Sequence, residues 1–542
     1  MSTPDRRPRW RLGAAAAAVV VAGGVLPAAA LPVGVTLSPF IVQAGNSGLA
    51  RTAVNAVIAA NLGVGQVISD LPLVNGVLAN LSPVESAALS VSYAVSADAT
   101  VLTAGFHEKG GPPPPPARQL DNVFRQVTGA TAVGSNHGQG VGVAVVDTGI
   151  ANLADFAGRL EAGVDLTSEN NPWLDSFGHG TFVAGLIAGN GASSKGTYPG
   201  EATGARLVPV KVADASGTTT VSTLIQALQW IQANPGDIRV INMSVGALPT
   251  GPTALNPLDQ AVEAMWAAGF VVVTSAGNNG SDPGTITSPG DDPLVITVGA
   301  LDDKDTVTTA DDAVPSFSSH GPTRSDAWWK PDLLAPGRSV VSLTSTTSAI
   351  WNNNPTARVG SKNFVGSGTS FAAAITSGAA AILLKENPSA SPNNVKAALL
   401  TTTNAGPSPP QDPFAQGHGV LNVARAVAEP LLDMVQNVSG VPVPPAGTNI
   451  PLLSTQIVST WATVNATEET QYPSPYPFPY FGPATSSLAR NGTPLFQSSA
   501  WNSSAWNSSA WNSSAWNSSA WNSSAWNSSA WNSSAWNSSA WN

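Results

Sequence analysis

Between Val141 and Val146 the chain is apolar at every position except Gly142, with no polar alternation. Such a run fits a strand buried on both faces. Ala205–Val212, Ile238–Met243, Phe270–Thr274 and Leu294–Val298 also read as strands, although Arg206, Lys211, Arg239 and Asn242 interrupt the first two. Helices read at Thr181–Ala188, Val221–Ala233, Leu258–Ala268 and Ser370–Lys385, the last long, rich in small residues and closing at Asn387-Pro388. Strands alternating with helices predict an α/β architecture over about 117–430, with a mostly parallel sheet and helices on both faces.

Upstream the pattern changes. Phe40–Gln43 reads as a strand and Asn46–Ala60 as a helix. Val64–Ala79 carries short apolar runs broken by Asp70, Pro72 and Asn75-Gly76. Ser82-Pro83-Val84-Glu85 has the Ser cap, the proline at the first helical position and the glutamate two residues on that open a helix. Leu89–Val101 alternates like a strand. The order strand, helix, strand, strand, helix, strand predicts a small ferredoxin-like α+β unit.

These patterns divide the chain. Residues 1–30 read as an export signal, with Arg6, Arg7, Arg9 and Arg11, then an apolar stretch from Gly13 to Val25, then Ala28-Ala29-Ala30. That stretch is shorter than the roughly 20 residues a spanning helix needs. Residues 31–105 form the α+β unit, 106–120 a linker holding Pro112–Pro116, and 121–430 the α/β domain. A Pro-rich extension covers 431–500, and Trp-Asn-Ser-Ser-Ala repeats fill 501–542.

Composition narrows the function. Charged residues are only 10% of the 542, and the net charge of −10 excludes a general nucleic-acid binder. The absence of cysteine excludes a disulfide scaffold, a thiol enzyme and a Cys-ligated metal centre.

Four glycine-flanked polar residues carry candidate chemistry. Asp147 ends the Val141–Val146 run, where open α/β sheets place their sites. His179 starts a helix within Gly178-His179-Gly180-Thr181, with both ring nitrogens available for proton transfer. Ser370 starts another helix within Gly368-Thr369-Ser370-Phe371-Ala372, whose N-terminal dipole favours a developing oxyanion. Asn278, in Ser275-Ala276-Gly277-Asn278, brings an amide donor. Each alone also fits a cap or a turn. Other motifs fail. Gly138-Gln139-Gly140 precedes its strand, His107-Glu108 lacks a second histidine, and Ser370 sits in no Gly-x-Ser-x-Gly.

The order Asp147, His179, Ser370, together with Ile241-Asn242-Met243-Ser244-Val245-Gly246, Phe317–Pro322 and Gly417–Asn422, resembles the subtilisin-like serine peptidases, or subtilases, over 117–430. The resemblance implies a secreted serine endopeptidase with an Asp147–His179–Ser370 triad and Asn278 at the oxyanion. It implies that Ser244, Val245 and Gly246 pair with the substrate backbone and that Ala276 and Gly277 wall the primary specificity pocket. Substrates would be proteins or peptides. Residues 31–105 would be the inhibitory propeptide. No cofactor would be needed for the chemistry; calcium is common in the family, but no regular ligand spacing assigns its ligands here. Two positions depart from the family pattern. Phe182 stands where a second histidine is frequent, and Ala374 where proline is usual.

A non-catalytic exported protein that binds surfaces through its repeats is the alternative. The period of five sends successive Trp to opposite faces of a strand, or about 140° apart on a helix, so no single apolar face results. Two readings of the tail stand: a disordered low-complexity segment, or indoles that stack on the sugars of cell walls or other glycans.

Overall fold

The apolar run at 141–146 leads into an interior strand of the sheet it predicts. The computed structural model describes residues 36–61, 64–103, 122–249, 251–326, 328–407, 412–431, 435–436 and 442–443. The export signal, the Pro-rich linker, most of the 431–500 extension and the Trp repeats lie outside the described residues.

The N-terminal unit comprises β1 (Ser38–Gln43), α1 (Ser47–Ala60), β2 (Gln66–Leu71), β3 (Gly76–Leu81), α2 (Pro83–Ser90) and β4 (Ala94–Ala97). Its four strands lie in the order β2-β3-β1-β4, every neighbour antiparallel. Local chemistry sets the helix starts. The Asn46 side chain accepts from Leu49 N–H at 2.9 Å. Ser82 and Glu85 form a reciprocal capping box at the start of α2, the Ser82 N–H donating to Glu85 Oε2 at 2.8 Å.

The expected strand over Leu89–Val101 is not continuous. Leu89 and Ser90 end α2, β4 takes four residues, and the chain then leaves this sheet. Thr100–Thr103 (β5) pairs elsewhere, with Thr218–Thr220 and Val245–Gly246. Alternation over 89–101 could not reveal that two strands in two sheets share one apolar pattern.

In the larger domain, α3 (Phe124–Val127) precedes β6 (Gly142–Asp147). There follow β7 (Val164–Asp165), α4 (His179–Ala188), β8 (Arg206–Lys211), β9 (Thr218–Thr220), α5 (Val221–Ala233), β10 (Ile238–Met243) and β11 (Val245–Gly246). Next come α6 (Pro257–Ala267), β12 (Val271–Ser275), β13 (Ile296–Leu301), β14 (Leu333–Pro336) and β15 (Val340–Leu343). Helices α7 (Ala349–Asn353), α8 (Thr369–Glu386) and α9 (Pro392–Thr401) complete the part that matters for the site.

Seven strands form one sheet in the order β14-β13-β12-β10-β6-β8-β7, all neighbours parallel. Every residue of β6 is buried, as a parallel strand covered on both faces requires. Helix α4 packs on α8 and α5 on α6, and each pair lies against the sheet. The sequence order reverses at β6, whose neighbours are β8 and β10. Asp147, Ser244 and Ala276 all lie at or just past the carboxyl ends of β6, β10 and β12, beside this switch in strand order.

One apolar core spans both units. Ile41, Leu71, Leu78 and Val101 of the N-terminal part belong to it along with the sheet residues. A second, small cluster of Val42, Ala50, Val54, Val77, Ala79, Leu81 and Leu89 is the N-terminal unit's own. Among the described residues, no helix is long and apolar enough to cross a membrane.

Candidate active site

Gly178 precedes α4 with φ 110°, a left-handed conformation that favours glycine. A Cβ on Gly180 would overlap the Gly149 carbonyl oxygen, so the first turn of α4 can lie directly on the end of β6 only because position 180 has no side chain. This approach brings His179 to Asp147. His179 Nδ1 lies 2.8 Å from Asp147 Oδ1 and 2.9 Å from Oδ2, and both residues are fully buried. Facing two carboxylate oxygens, Nδ1 is placed to donate, and the ring's other nitrogen lies on the opposite side of the imidazole. The Thr148 N–H donates to Asp147 Oδ1 at 2.8 Å and fixes the carboxylate from the other side.

Asp175 is a part of the site that the sequence did not single out. Its Oδ1 accepts the Gly178 N–H at 2.7 Å and the Thr148 hydroxyl at 2.8 Å, and its Oδ2 accepts the Thr181 N–H at 2.8 Å. The Thr148 hydroxyl in turn accepts the Gly180 N–H at 2.9 Å. One buried carboxylate thus satisfies the free N–H groups at the start of α4 and ties them to the Asp147 loop. Burial raises the Asp175 carboxyl above the usual range, against the opposing effect of these hydrogen bonds. The available signal was an Asp four residues before a helix-starting His.

Ser370 lies in the first turn of α8 and is fully buried. Its carbonyl accepts the Ser244 hydroxyl at 3.0 Å. That hydroxyl accepts from Asn242 Nδ2 at 3.0 Å, and Asn242 Oδ1 accepts the Ser377 hydroxyl at 2.9 Å. Ser244, expected to serve the substrate, therefore also spends its side chain on holding the Ser370 helix. Asn278 is oriented by the same helix. Its Oδ1 accepts the Thr369 N–H at 2.9 Å and the Thr369 hydroxyl at 3.0 Å. Its Nδ2 is buried and has no hydrogen-bond partner among the described residues. The Thr369 hydroxyl is also 3.2 Å from the Gly277 N–H, which donates to it. Ala276 is fully buried, and its carbonyl accepts the Thr287 N–H at 3.0 Å.

The structure brings Asp147 and His179 into direct contact, and both Asn278 and Ser244 bond to the helix start that carries Ser370. Val245 and Gly246 pair antiparallel with Thr103 and Leu102 of the same chain. On its other edge β5 pairs with β9, Thr100 opposite Thr220 and Val101 opposite Thr219. The edge expected for a substrate backbone is thus filled by the chain's own N-terminal segment. Asp98 anchors this segment. Its Oδ1 accepts the Ser222 N–H at 2.8 Å and its Oδ2 the Ser222 hydroxyl at 2.6 Å, while the Val221 N–H donates to the Ala99 carbonyl at 3.1 Å. A carboxylate at the N-terminus of α5 is favoured by the helix dipole. Gln43 Nε2 donates to Gln260 Oε1 on α6 at 2.6 Å.

Among the described residues, no group of three or more His, Cys, Asp or Glu could hold a metal ion.

Comparisons with known proteins point to one family. Residues 138–419 match the model of the Subtilase family. Serine protease AprX of Bacillus subtilis (strain 168) is 43% identical over 54% of this chain and 66% of its own length. The Extracellular serine proteinase of Thermus sp. (strain Rt41A) is 38% identical over 48% of this chain and 55% of its own length. Subtilisin DY of Bacillus licheniformis is 36% identical over 53% of this chain and 91% of its own. The chain thus spans less than two thirds of the first two relatives. Fervidolysin from Fervidobacterium pennivorans, a keratinolytic enzyme related to subtilisin, shares the fold, with a TM-score of 0.57 at 23% identity over 75% of this chain and 64% of its own. The matched region contains both helix starts, the Asp147 strand and the Asn278 loop in one ordered frame, and the chain belongs to the subtilase family.

Proposed function

We propose that this chain is a secreted serine endopeptidase that hydrolyses protein or peptide substrates through an acyl-enzyme. Ser370 Oγ attacks the scissile carbonyl. His179 takes its proton and returns it to the leaving amine. Asp147 holds the Nδ1–H tautomer and stabilises the imidazolium. Asn278 Nδ2 and the Ser370 N–H receive the oxyanion. This division of labour is that of serine-protease triads, with subtilisin among them, and is carried over by likeness. The reading rests above all on one observation: His179 Nδ1 is held by both oxygens of the buried Asp147 carboxylate, at 2.8 and 2.9 Å. That pairing favours catalysis over a fold kept only for surface binding.

The substrate would add a strand along Ser244, Val245 and Gly246 and place a side chain beside Ala276 and Gly277. Because β5 lies on that edge, residues 31–105 act in this reading as an intramolecular inhibitor, removed by self-cleavage within 102–125. The Arg6–Ala30 segment supports export. The Trp repeats would add contact with cell walls or glycans.

Hydrolysis of casein by purified protein, with and without a serine-directed inhibitor, tests the reading. Ser370→Ala should abolish hydrolysis, and when expressed alone it should remain uncut within 102–125. Casein hydrolysis by Ser370→Ala at the wild-type rate would refute the assignment.

A further inference from the structure

Two phenylalanines join the helix that carries His179 to the helix that carries Ser370. Phe182 follows His179 by three residues on α4, so the two share a helix face. Phe371 follows Ser370 in the first turn of α8. The Phe182 and Phe371 ring centroids lie 4.3 Å apart with an interplanar angle of 38°. The Phe371 and His179 centroids lie 5.7 Å apart at 32°. All three rings are fully buried.

Asp147 grips the imidazole at Nδ1, along the edge of the ring. Hydrogen bonds at one edge set direction but resist tilting of the ring plane only weakly. Packing from another ring supplies that restraint. At the start of α8 the neighbouring side chains are small: Ala372, Ala373 and Ala374, with alanine where the family usually has the rigid proline. The large group in this turn is Phe371, and Phe182 backs it.

We propose that Phe371, braced by Phe182, is a positioning residue that sets the His179 imidazole at its working angle and distance from Ser370. The inference rests on the peptidase reading above. Neither ring touches substrate in this account. Their effect is on the alignment of base and nucleophile, to which rate is steeply sensitive: a shift of about 1 Å costs on the order of 10²-fold. It also relates two departures from the family pattern. The residue at 182 is a brace, and the stack stiffens a helix start that lacks its proline.

The test uses the active chain and a short chromogenic peptide, with Phe371→Leu, Phe182→Leu, the double variant, Phe156→Leu and Ser370→Ala. Phe156 is a fully buried core phenylalanine of the 3-10 turn Ala154–Phe156 and serves as the control. Each single change in the stack should lower kcat by about 10-fold or more, with KM within about twofold. The double variant should be little worse than the worse single one, because the two rings act as a unit. Phe156→Leu should lower the thermal midpoint and leave kcat within about twofold. A folded Phe371→Leu with wild-type kcat would overturn the proposal, as would losses that multiply in the double variant. If the leucine variants do not fold, Phe371→Met, which keeps more of the volume, is read by the same criteria. Hydrolysis by Ser370→Ala equal to wild type would instead remove the peptidase reading itself, so the two failures are distinguishable.

Discussion

Thr369 donates both its N–H and its hydroxyl to the Asn278 carbonyl oxygen, at 2.9 and 3.0 Å. A backbone N–H can only donate, so the amide oxygen must face α8 and the NH₂ must face away from it. The residue before the proposed nucleophile thus orients the group proposed to stabilise the oxyanion, and among the described residues the buried amide NH₂ has no hydrogen-bond partner. Such a group is costly to keep in a resting protein, which fits a donor held ready for charge that develops later.

Asn278→Ala should lower kcat by about 10²–10³ and barely change KM; that size is the one such a donor has in subtilisin, carried over by family likeness. Asn278→Asp should lose as much, because it keeps the acceptor that Thr369 needs and removes the donor. Thr369→Val should cost less, about 10-fold at most, since its N–H still orients the amide. Steady-state kinetics on a short peptide decides, and an Asn278→Ala rate near wild type would count against the oxyanion role.

The grip of Asp98 on α5 should be measurable. In a Ser370→Ala background, Asp98→Ala removes two hydrogen bonds and a favourable charge at a helix N-terminus. Backbone amides of Thr100–Thr103 should then exchange hydrogen about 10-fold faster, while those in the middle of α8 stay unchanged. Burial raises the Asp98 carboxyl above its usual range, outweighing the Ser222 hydrogen bonds. Asp98→Asn should therefore loosen the segment less than Asp98→Ala. Equal exchange in wild type and Asp98→Ala would show that apolar packing alone seats the segment.

Glu201 predicts a pH effect on stability. Its fully buried carboxyl is pushed up to about 8 by desolvation, with Thr128 and Arg125 acting in the opposite direction. Unfolded, it titrates near 4.3. Between those values the native state binds a proton that the unfolded state does not. Stability from this group therefore falls as pH rises through that window, by up to about 1.4 kcal/mol per pH unit, and levels off above it. Glu201→Gln should flatten this part of the profile and be more stable than wild type at pH 8. Denaturant unfolding between pH 5 and 9 checks it, and parallel profiles for the two proteins would contradict it.

Truncation after Arg490 should leave the hydrolysis rate on a short soluble peptide unchanged, because Asp147, His179, Asn278 and Ser370 all precede it. The same truncation should reduce retention on cell walls and insoluble glycans if the Trp repeats bind sugars. Unchanged retention would leave the low-complexity reading of the tail.

Much of this protein is determined by sequence alone. Mostly apolar runs became the parallel strands, since a strand covered on both faces buries nearly all its side chains; Ile238–Met243 and the helix Val221–Ala233 match their expected bounds. Ser82 and Glu85 set a helix start through contacts three residues apart. The four chemical motifs were legible because tight turns and close approaches demand glycine next to the reactive residue, as at Gly178 and Gly180. Tertiary structure alone decided the rest. Asp175 became a cap joining two loops, Ser244 turned its hydroxyl to the Ser370 carbonyl, and Leu89–Val101 split between two sheets. Each depends on a partner far along the chain, and Asp98 meets Ser222 across 124 residues. Local pattern records how well a residue suits a strand, a helix or a cap. Which distant group fills its hydrogen-bonding capacity is set only when the elements pack.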